Sequence, residues 1–201
     1  QGFSLDGIDD HLTAGPSALL NDAALHYTVA VWIKGPMQNE YWKGIVGKPG
    51  RNYNIWTGAS DSAEGFIHHR FHTVSSTNDG CPDLSGVMWN EWNFIAITNN
   101  GTMCFTYIIN KNGIRQANAS GFSALVADNT ALQIGRNPDA SSSNFFQGVM
   151  DEVQLYNRSL GFEEIKALYD VGTTRSCTDL AQCFESVNMT TADTTYSAAI
   201  P

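Results

Sequence analysis

Two adjacent carboxylates, Asp151 and Glu152, lie in the largely apolar stretch FFQGVMDEVQLYNRSL at residues 145–160. Paired carboxylates can act as the acid and the nucleophile of a glycoside hydrolase, and carboxylates can also bind a cation. The stretch is typical of a β-strand, in which consecutive side chains point to opposite faces. The two carboxylates therefore cannot flank one glycosidic bond, and we expect this pair to have no catalytic role.

Other patterns of catalytic residues also favour a protein that is not an enzyme. The sequence contains no Glu-x-Asp pair, which would place two carboxylates on one face of a strand. It contains no nucleophile elbow of the Gly-x-Ser-x-Gly type. His68 and His72 share a face of one predicted strand but lie about 13 Å apart at about 3.3 Å per residue, too far to bind one metal ion.

The composition indicates an acidic, β-rich chain. Its 201 residues carry a net charge of −9, and only 15% of them are charged. Abundant small polar residues with few charges suit an all-β protein with many turns. Because Lys and Arg are neither frequent nor clustered, the sequence argues against binding to nucleic acid or to an anionic membrane. No apolar run is long enough to span a bilayer.

The cysteines predict disulfides and an oxidising compartment. Four are present, at Cys81, Cys104, Cys177 and Cys183, without the spacing of a zinc knuckle. Of the three possible connectivities we favour Cys81–Cys104 and Cys177–Cys183, and buried free thiols are the alternative. The strand-like start QGFSL, with no charged-then-apolar leader, leads us to expect a mature secreted chain whose signal has been removed.

Four Asn-x-Ser/Thr sequons are candidate sites of N-glycosylation. They begin at Asn100, Asn118, Asn157 and Asn188. Asn100 falls in a predicted turn and Asn188 in a polar tail, where a glycan can be accommodated.

Short apolar runs separated by Gly, Asn, Asp and Pro clusters predict an antiparallel β-sandwich. The predicted strands are residues 2–5, 26–34, 44–48, 53–57, 65–73, 93–98, 104–110, 132–135 and 146–156. Asn-Gly signals predict tight hairpin turns at residues 99–101 and 111–113. A polar loop is predicted between Thr73 and Met88. Residues 162–169 show helical spacing, with two glutamates at the favourable N-terminal end.

Six motifs, in order over roughly residues 2–170, resemble the concanavalin A-like superfamily, especially its laminin G-like and pentraxin-like branch. They are FSLDGIDD at 3–10, YTVAVWIK at 27–34, WNFIAIT at 92–98, YIINKNG at 107–113, LQIG at 132–135 and FQGVMDEVQLYNRSL at 146–160. The resemblance implies an all-β fold of two antiparallel sheets, a jelly roll with one short C-terminal helix. We place the jelly-roll domain at residues 1–175. Residues 176–201 form a disulfide-closed loop and a Thr/Ser/Ala-rich tail.

The resemblance also suggests a partner for Asp151. By strict alternation, Asp151 shares a strand face with four apolar residues, Phe145, Val149, Val153 and Leu155. A carboxylate in an apolar row must be paired or coordinated. The turn after the first strand often lies near the last strand in this family, so Asp6 and Asp151 are candidate ligands of a structural Ca²⁺. The alternative is that Asp151 accepts backbone N–H bonds from that turn without a metal ion.

Relatives of this fold often bind glycans, and sugar-binding sites usually combine aromatic faces with polar groups. Trp42, Trp56 and His69, with the polar loop at residues 73–83, are the candidate sugar-binding patch. Trp32 and Trp92 lie in family core strands and are interpreted as packing residues.

The function that we predict is extracellular recognition or adhesion by a secreted glycoprotein module, through glycan or protein contacts and without catalysis. The main alternative is a structural subunit of an extracellular filament or matrix. In this alternative the C-terminal tail, whose residues 188–201 carry no charge except Asp193, adds to the sheet of a neighbouring molecule and assembles the subunits head-to-tail. A polysaccharide-degrading enzyme is the third class considered.

Overall fold

A computed structural model describes residues 2–16, 21, 26–38, 42–59, 64–139 and 144–174. Residues 175–201 lie outside this part of the chain, so the predictions for Cys177, Cys183, Asn188 and the C-terminal tail are not addressed by it. None of the described helices is long and apolar enough to cross a membrane.

The described chain forms thirteen strands and one C-terminal helix. The strands are β1 (Phe3–Asp6), β2 (Leu12–Ala14), β3 (Tyr27–Lys34), β4 (Lys43–Lys48), β5 (Asn52–Ala59), β6 (Glu64–Thr73), β7 (Ser76–Gly80), β8 (Leu84–Met88), β9 (Asn93–Asn99), β10 (Met103–Asn110), β11 (Gly113–Ser120), β12 (Leu132–Ile134) and β13 (Gln147–Tyr156). The helix, α1, spans Phe162–Thr174.

The strands build two antiparallel sheets, as the predicted jelly roll requires. Sheet A has the order β1-β13-β3-β9-β10-β11. Sheet B has the order β2-β12-β4-β5-β6-β7, and β8 also pairs with β6. The chain crosses between the sheets several times, so neighbours in one sheet are often distant in sequence.

The main core lies between the inner faces of the two sheets. Alternate residues of β3 enter it, namely Val29, Val31 and Ile33, and meet Ile55 and Ile67 from sheet B. All five are at most 1% exposed. Burial of this kind contributes about 1.5–3 kcal/mol for each large aliphatic side chain.

A second apolar cluster lies on the outer face of sheet A, where α1 covers it. Trp32 and Phe94 of the sheet pack with Leu160 and Ile165 from the segment that leads into the helix and from the helix itself. The ring of Tyr169 stacks on Trp32 at a centroid distance of 5.3 Å. Trp32 is therefore a packing residue, as predicted.

The start of α1 is fixed by a side chain within its first turn. The Gly161 N–H donates to a carboxylate oxygen of Glu164 at 2.9 Å, and the Ile165 N–H donates to the Gly161 carbonyl at 3.0 Å. This satisfies a donor that a helix N-terminus would otherwise leave unpaired. The helix runs five residues beyond the predicted end at residue 169.

The nine predicted strands are confirmed, with shifts of one or two residues at their ends, and both Asn-Gly turns form hairpins. Four strands escape the prediction: β2, β7, β8 and β11. The predicted loop between Thr73 and Met88 is wrong, because it contains β7 and β8. Within the part of the chain that the structure describes, each missed strand pairs with one other strand, and exposed edge strands carry little apolar alternation.

The predicted disulfide Cys81–Cys104 is present. Cys104 belongs to β10 of sheet A, and Cys81 lies between β7 and β8 beside sheet B. The bond therefore joins the two sheets directly, and both cysteines are almost completely buried.

Candidate functional site

Three aromatic side chains, Trp42, Trp56 and His68, form a cluster on the outer face of sheet B. The Trp42 and His68 ring centroids are 4.4 Å apart, and His68 stacks on Trp56 at 5.5 Å with an interplanar angle of 18°. Trp42 is 39% exposed, whereas Trp56 and His68 are 4% and 6% exposed. Trp42 therefore presents the accessible aromatic surface, and the other two rings support it from below.

Strand geometry positions the two supporting rings. Trp56 of β5 lies directly opposite His68 of β6. Their neighbours Ile55 and Ile67 are completely buried in the main core, so alternation turns Trp56 and His68 to the outer face.

Trp42 reaches the cluster from the residue before β4. Its backbone φ is 66°, a left-handed conformation that is rare for a bulky side chain. The Asn137 amide donates a 3.2 Å hydrogen bond to the Trp42 carbonyl oxygen. Arg51, which also borders the cluster, has a φ of 64°. Uncommon backbone conformations of this kind cost energy and persist only where the surrounding structure holds them. They are found preferentially at functional sites, including binding sites.

The structure brings the candidate residues Trp42 and Trp56 together but excludes His69 from the patch. His69 is 0% exposed and lies on the inner face of β6. Its Nε2 is 2.8 Å from the Tyr27 hydroxyl oxygen, and its Nδ1 is 3.2 Å from the Thr106 hydroxyl oxygen. The prediction is wrong for His69 because the next residue in the strand, His68, has the outward orientation.

Burial keeps both of these histidines neutral over the ordinary pH range. Desolvation lowers the pKa of His69 to about 3, and the nearby Arg70 acts in the same direction. Desolvation likewise lowers the pKa of His68 to about 4, again with a contribution from Arg70 and against the opposing effect of Asp83. His68 Nδ1 and an Asp83 carboxylate oxygen are 2.5 Å apart.

Arg70 connects the cluster to the disulfide region. Its guanidinium donates to Asp83 at 3.2 Å and to the Cys81 carbonyl oxygen at 2.9 Å. These bonds hold the segment from Cys81 to Asp83 in place, with Asp83 in contact with His68.

A cleft of about 380 Å³ adjoins the aromatic cluster. We call it the Trp42 cleft, and its walls are formed by Trp42, Arg51, Trp56, His68, Asn78, Asn137, Asp139 and Asn144. Ligand sites in proteins combine aromatic surface with a few polar groups in this way, and their volumes range upward from about 300 Å³.

The charged groups of the cleft are paired with each other. The Arg51 guanidinium lies over the Trp56 ring at 5.6 Å and forms an ion pair with Asp139 at 3.7 Å. Asp139 also accepts hydrogen bonds from the Gly50 N–H at 2.9 Å and the Asn54 amide at 3.2 Å. The part of the cleft wall that the structure describes therefore offers amides and a neutralised ion pair rather than a net charge.

Asp6 and Asp151 do not share a site, so the predicted calcium pair is wrong. Asp6 is opposite Gln147 in the β1–β13 pairing. Asp151 lies four residues further along β13, about 13 Å away at about 3.3 Å per residue. One ion cannot contact both carboxylates.

A bulge in β13 also changes the face to which Asp151 belongs. The register with β3 shifts between Asp151 and Gln154, and Glu152 has a φ of 49°. Met150, Val153 and Leu155 consequently pack on the main core. Asp151 pairs with Trp32 on the opposite face and accepts the Glu152 N–H at 2.8 Å. It therefore does not stand in an apolar row, because the extra residue breaks the alternation.

Asp6 instead organises the turn after β1. Its carboxylate accepts the N–H groups of Ile8 at 2.8 Å and Asp9 at 3.3 Å, and these bonds lower the pKa of Asp6. Asp9 and Asp10 present carboxylate oxygens close to it at the exposed surface. The Asp6 N–H donates to an Asp10 carboxylate oxygen at 3.1 Å, so the carboxylates of Asp6 and Asp10 both accept hydrogen bonds within the turn.

A laminin G domain model, described as the concanavalin A-like lectin/glucanases superfamily, matches residues 6–166. The chain belongs to this family. No curated protein sequence matches it significantly.

Solved structures with the same fold include domain 4 of an extracellular arabinanase from Geobacillus stearothermophilus, in complex with arabinotriose. The TM-score is 0.57 at 15% identity, over 83% of this chain and 75% of that one. The CBM40 of the Ruminococcus gnavus IT-sialidase gives 0.54 at 11% identity, over 84% and 96%. A SAP-like pentraxin from Limulus polyphemus gives 0.53 at 14% identity, over 88% and 82%. At these identities the similarity establishes the fold.

Proposed function

We propose that the protein is a non-catalytic extracellular recognition module that binds uncharged glycans in the Trp42 cleft. The observation that carries the proposal is the exposed Trp42 ring, backed by Trp56 and His68 and bordered by polar side chains. Sugars present apolar ring faces and polar hydroxyl groups, and this surface matches both.

The charge of the cleft favours an uncharged sugar. Arg51 is paired with Asp139, and Asp83 is held by Arg70 and His68. An anionic sugar would have to compete with Asp139 for the Arg51 guanidinium, the cation that the described cleft wall offers. A neutral oligosaccharide makes no such demand and can use the amides of Asn78, Asn137 and Asn144.

The same pairing supports a role in binding rather than in catalysis. A glycoside hydrolase needs two carboxyl groups that face one bond, about 5–9 Å apart and available for proton transfer or attack. Among the described residues that line the Trp42 cleft, the one carboxylate is Asp139, which accepts hydrogen bonds from the Gly50 N–H and the Asn54 amide and forms an ion pair with Arg51.

An extracellular location is supported by the buried Cys81–Cys104 disulfide, since such bonds persist mainly in oxidising compartments. The fold neighbour from the extracellular arabinanase, solved with arabinotriose, is consistent with a sugar as the ligand.

A glycan array tests this proposal directly. The purified protein is applied to neutral and anionic oligosaccharides, once with Ca²⁺ and once with a chelator. We expect binding to neutral oligosaccharides, followed by calorimetry on the strongest of them. Binding to no glycan under either condition contradicts the proposal, and exclusive binding to anionic glycans contradicts the charge argument. Release of shortened products from a bound polysaccharide would contradict the absence of catalysis.

The alternative function, a subunit of an extracellular filament, is supported by the exposed edge of sheet A. Within the described chain, β11 pairs with β10 alone, and Arg115 is its single charged residue. An edge strand with so few charges is available for pairing with another molecule. Deleting residues 188–201 tests this: the filament proposal predicts smaller particles by light scattering, and an unchanged particle size contradicts it.

A further inference from the structure

A second cavity, of about 480 Å³, opens on the outer face of sheet A beside the start of α1. We call it the Asn100 cavity, and its walls include Asn100, Phe105, Tyr107, Gln116, Ser159 and Phe162. The rings of Phe105 and Tyr107 are stacked at a centroid distance of 6.2 Å, with an interplanar angle of 12°. Tyr107 is only 3% exposed, whereas Phe105 is partly exposed, so Phe105 presents the accessible aromatic surface of the cavity.

The three sequons in the described chain all lie around this cavity. Asn100 is one of its lining residues, and so is Ser159, the third residue of the Asn157 sequon. Asn118 lies directly opposite Phe105 in the β10–β11 pairing, on the same outer face. Asn100, Asn118 and Asn157 are all exposed.

The side chain of Asn100 is held in one orientation. Its carboxamide oxygen accepts the Thr102 N–H at 3.0 Å, the Thr102 hydroxyl at 2.9 Å and the Met103 N–H at 2.8 Å. These bonds engage the carboxamide oxygen and fix the orientation of the whole carboxamide. The position of its amide nitrogen, to which an N-linked sugar is attached, is therefore also fixed. The hairpin turn therefore directs a sugar from a defined point on the cavity wall.

We propose that the Asn100 cavity holds the first sugars of an N-linked glycan attached to Asn100. The inner N-acetylglucosamine packs its apolar face on Phe105, and Gln116 and Ser159 provide hydrogen-bond partners for its polar groups. Aromatic rings and apolar sugar faces fit each other, and a tether of one side chain removes most of the entropic cost of association. This glycan is a structural part of sheet A and not the ligand of the Trp42 cleft.

Asn100 is the tether that the geometry favours. It contributes directly to the cavity wall, whereas Asn118 and Asn157 are not among its lining residues. Glycans on these two positions are expected to extend into solvent, so they provide matched controls within the same molecule. The inference rests on the glycosylated, extracellular state that the proposed function includes.

Site-resolved deglycosylation tests the inference. The chain is secreted from a eukaryotic host, and occupancy at each sequon is measured by peptide mass spectrometry. The folded protein is then treated with peptide N-glycosidase, and release is followed at each occupied site. We expect release at Asn100 to be about three- to tenfold slower than at Asn118 or Asn157, as one aromatic contact would produce.

The variant Phe105→Leu removes the aromatic surface while retaining an apolar side chain. In it, release at Asn100 should approach the rate at the control sites. If Phe105→Leu does not fold, Gln116→Ala on the exposed strand β11 serves the same purpose. Equal release rates at all sites in the unmodified protein, protection unchanged in the variant, or an unoccupied Asn100 would each overturn the inference. Glycan-array binding by the Trp42 cleft is measured independently, so failure of one proposal leaves the other standing.

Discussion

The outer faces of the two sheets carry similar aromatic clusters in opposite circumstances. On sheet A, Trp32 stacks with Tyr169 of α1 and is only 9% exposed. On sheet B, Trp42 stands over Trp56 and His68 and is 39% exposed. The residue types are nearly the same, so aromatic content alone does not distinguish packing from recognition. What differs is the neighbouring chemistry, apolar helix residues in one case and asparagines with a paired Arg51 in the other.

The largest effect that we predict is the loss of stability on the helix-covered face. Trp32→Ala removes a large side chain between sheet A and α1, and we expect it to lower the free energy of unfolding by about 3–5 kcal/mol. Urea denaturation measures this change. Sugar binding by the folded fraction should be unchanged, because the Trp42 cleft lies on the other sheet. Weakened sugar binding in folded Trp32→Ala would show that the two faces are not independent.

The next largest effect concerns the link between the sheets. Replacing Cys81 and Cys104 by serine removes a crosslink between residues 23 apart, which is expected to cost about 3 kcal/mol of stability. Because the Cys81 carbonyl oxygen accepts a hydrogen bond from Arg70, the loss should also loosen Asp83 behind His68 and weaken sugar binding. Urea denaturation and calorimetry on the double variant check both effects. Unchanged stability would contradict the structural role of the disulfide.

Acid should destabilise the protein through His69. The folded pKa of about 3 lies below the unfolded value of about 6.5, so the unfolded chain takes up the proton first. Stability is therefore full above pH 6.5 and falls as the pH decreases toward 3. We expect a loss of about 1–2 kcal/mol from His69 between pH 6.5 and 5.

Urea denaturation across this pH range checks the prediction, with His69→Gln as the test and the exposed His11→Gln as the control. The pH dependence should be shallower in His69→Gln and unchanged in His11→Gln. The same slope in all three proteins would contradict the assignment of the effect to His69.

Much of the fold is predictable from the sequence because apolar alternation and Asn-Gly turns are local signals. For this reason the predicted ends of the central strands β3, β9 and β10 almost coincide with the observed ends. The edge strand β7, with the sequence STNDG, forms through pairing with β6, and nothing in its own residues indicates a strand. Its formation depends on a tertiary contact that local sequence does not encode.

The candidate site is predictable only in part. The sequence does not fix which face of a strand each residue occupies, and it does not show which distant segments meet in the fold. Trp42 and Trp56 are recognisable as candidate surface aromatic residues. To choose His68 over His69, one must know that the neighbouring Ile67 points into the core, because side chains along a strand alternate between its two faces. The same alternation fails at Asp151, because the bulge at Glu152 inserts one extra residue. Asn137 and Asp139 reach the cleft from a loop far along the chain, and no spacing in the sequence links them to Trp42.

The comparison between exposed aromatic residues provides the most direct test of the central claim. Trp42 and Trp92 are both 39% exposed, but Trp42 faces the cleft and Trp92 packs edge-on against Trp32 beside sheet A. Calorimetry with a neutral oligosaccharide identified on the array should be performed on Trp42→Ala and Trp92→Ala. We predict a loss of affinity of about tenfold or more for Trp42→Ala and no change for Trp92→Ala. Equal affinities of the two variants would contradict the assignment of sugar recognition to the Trp42 cleft.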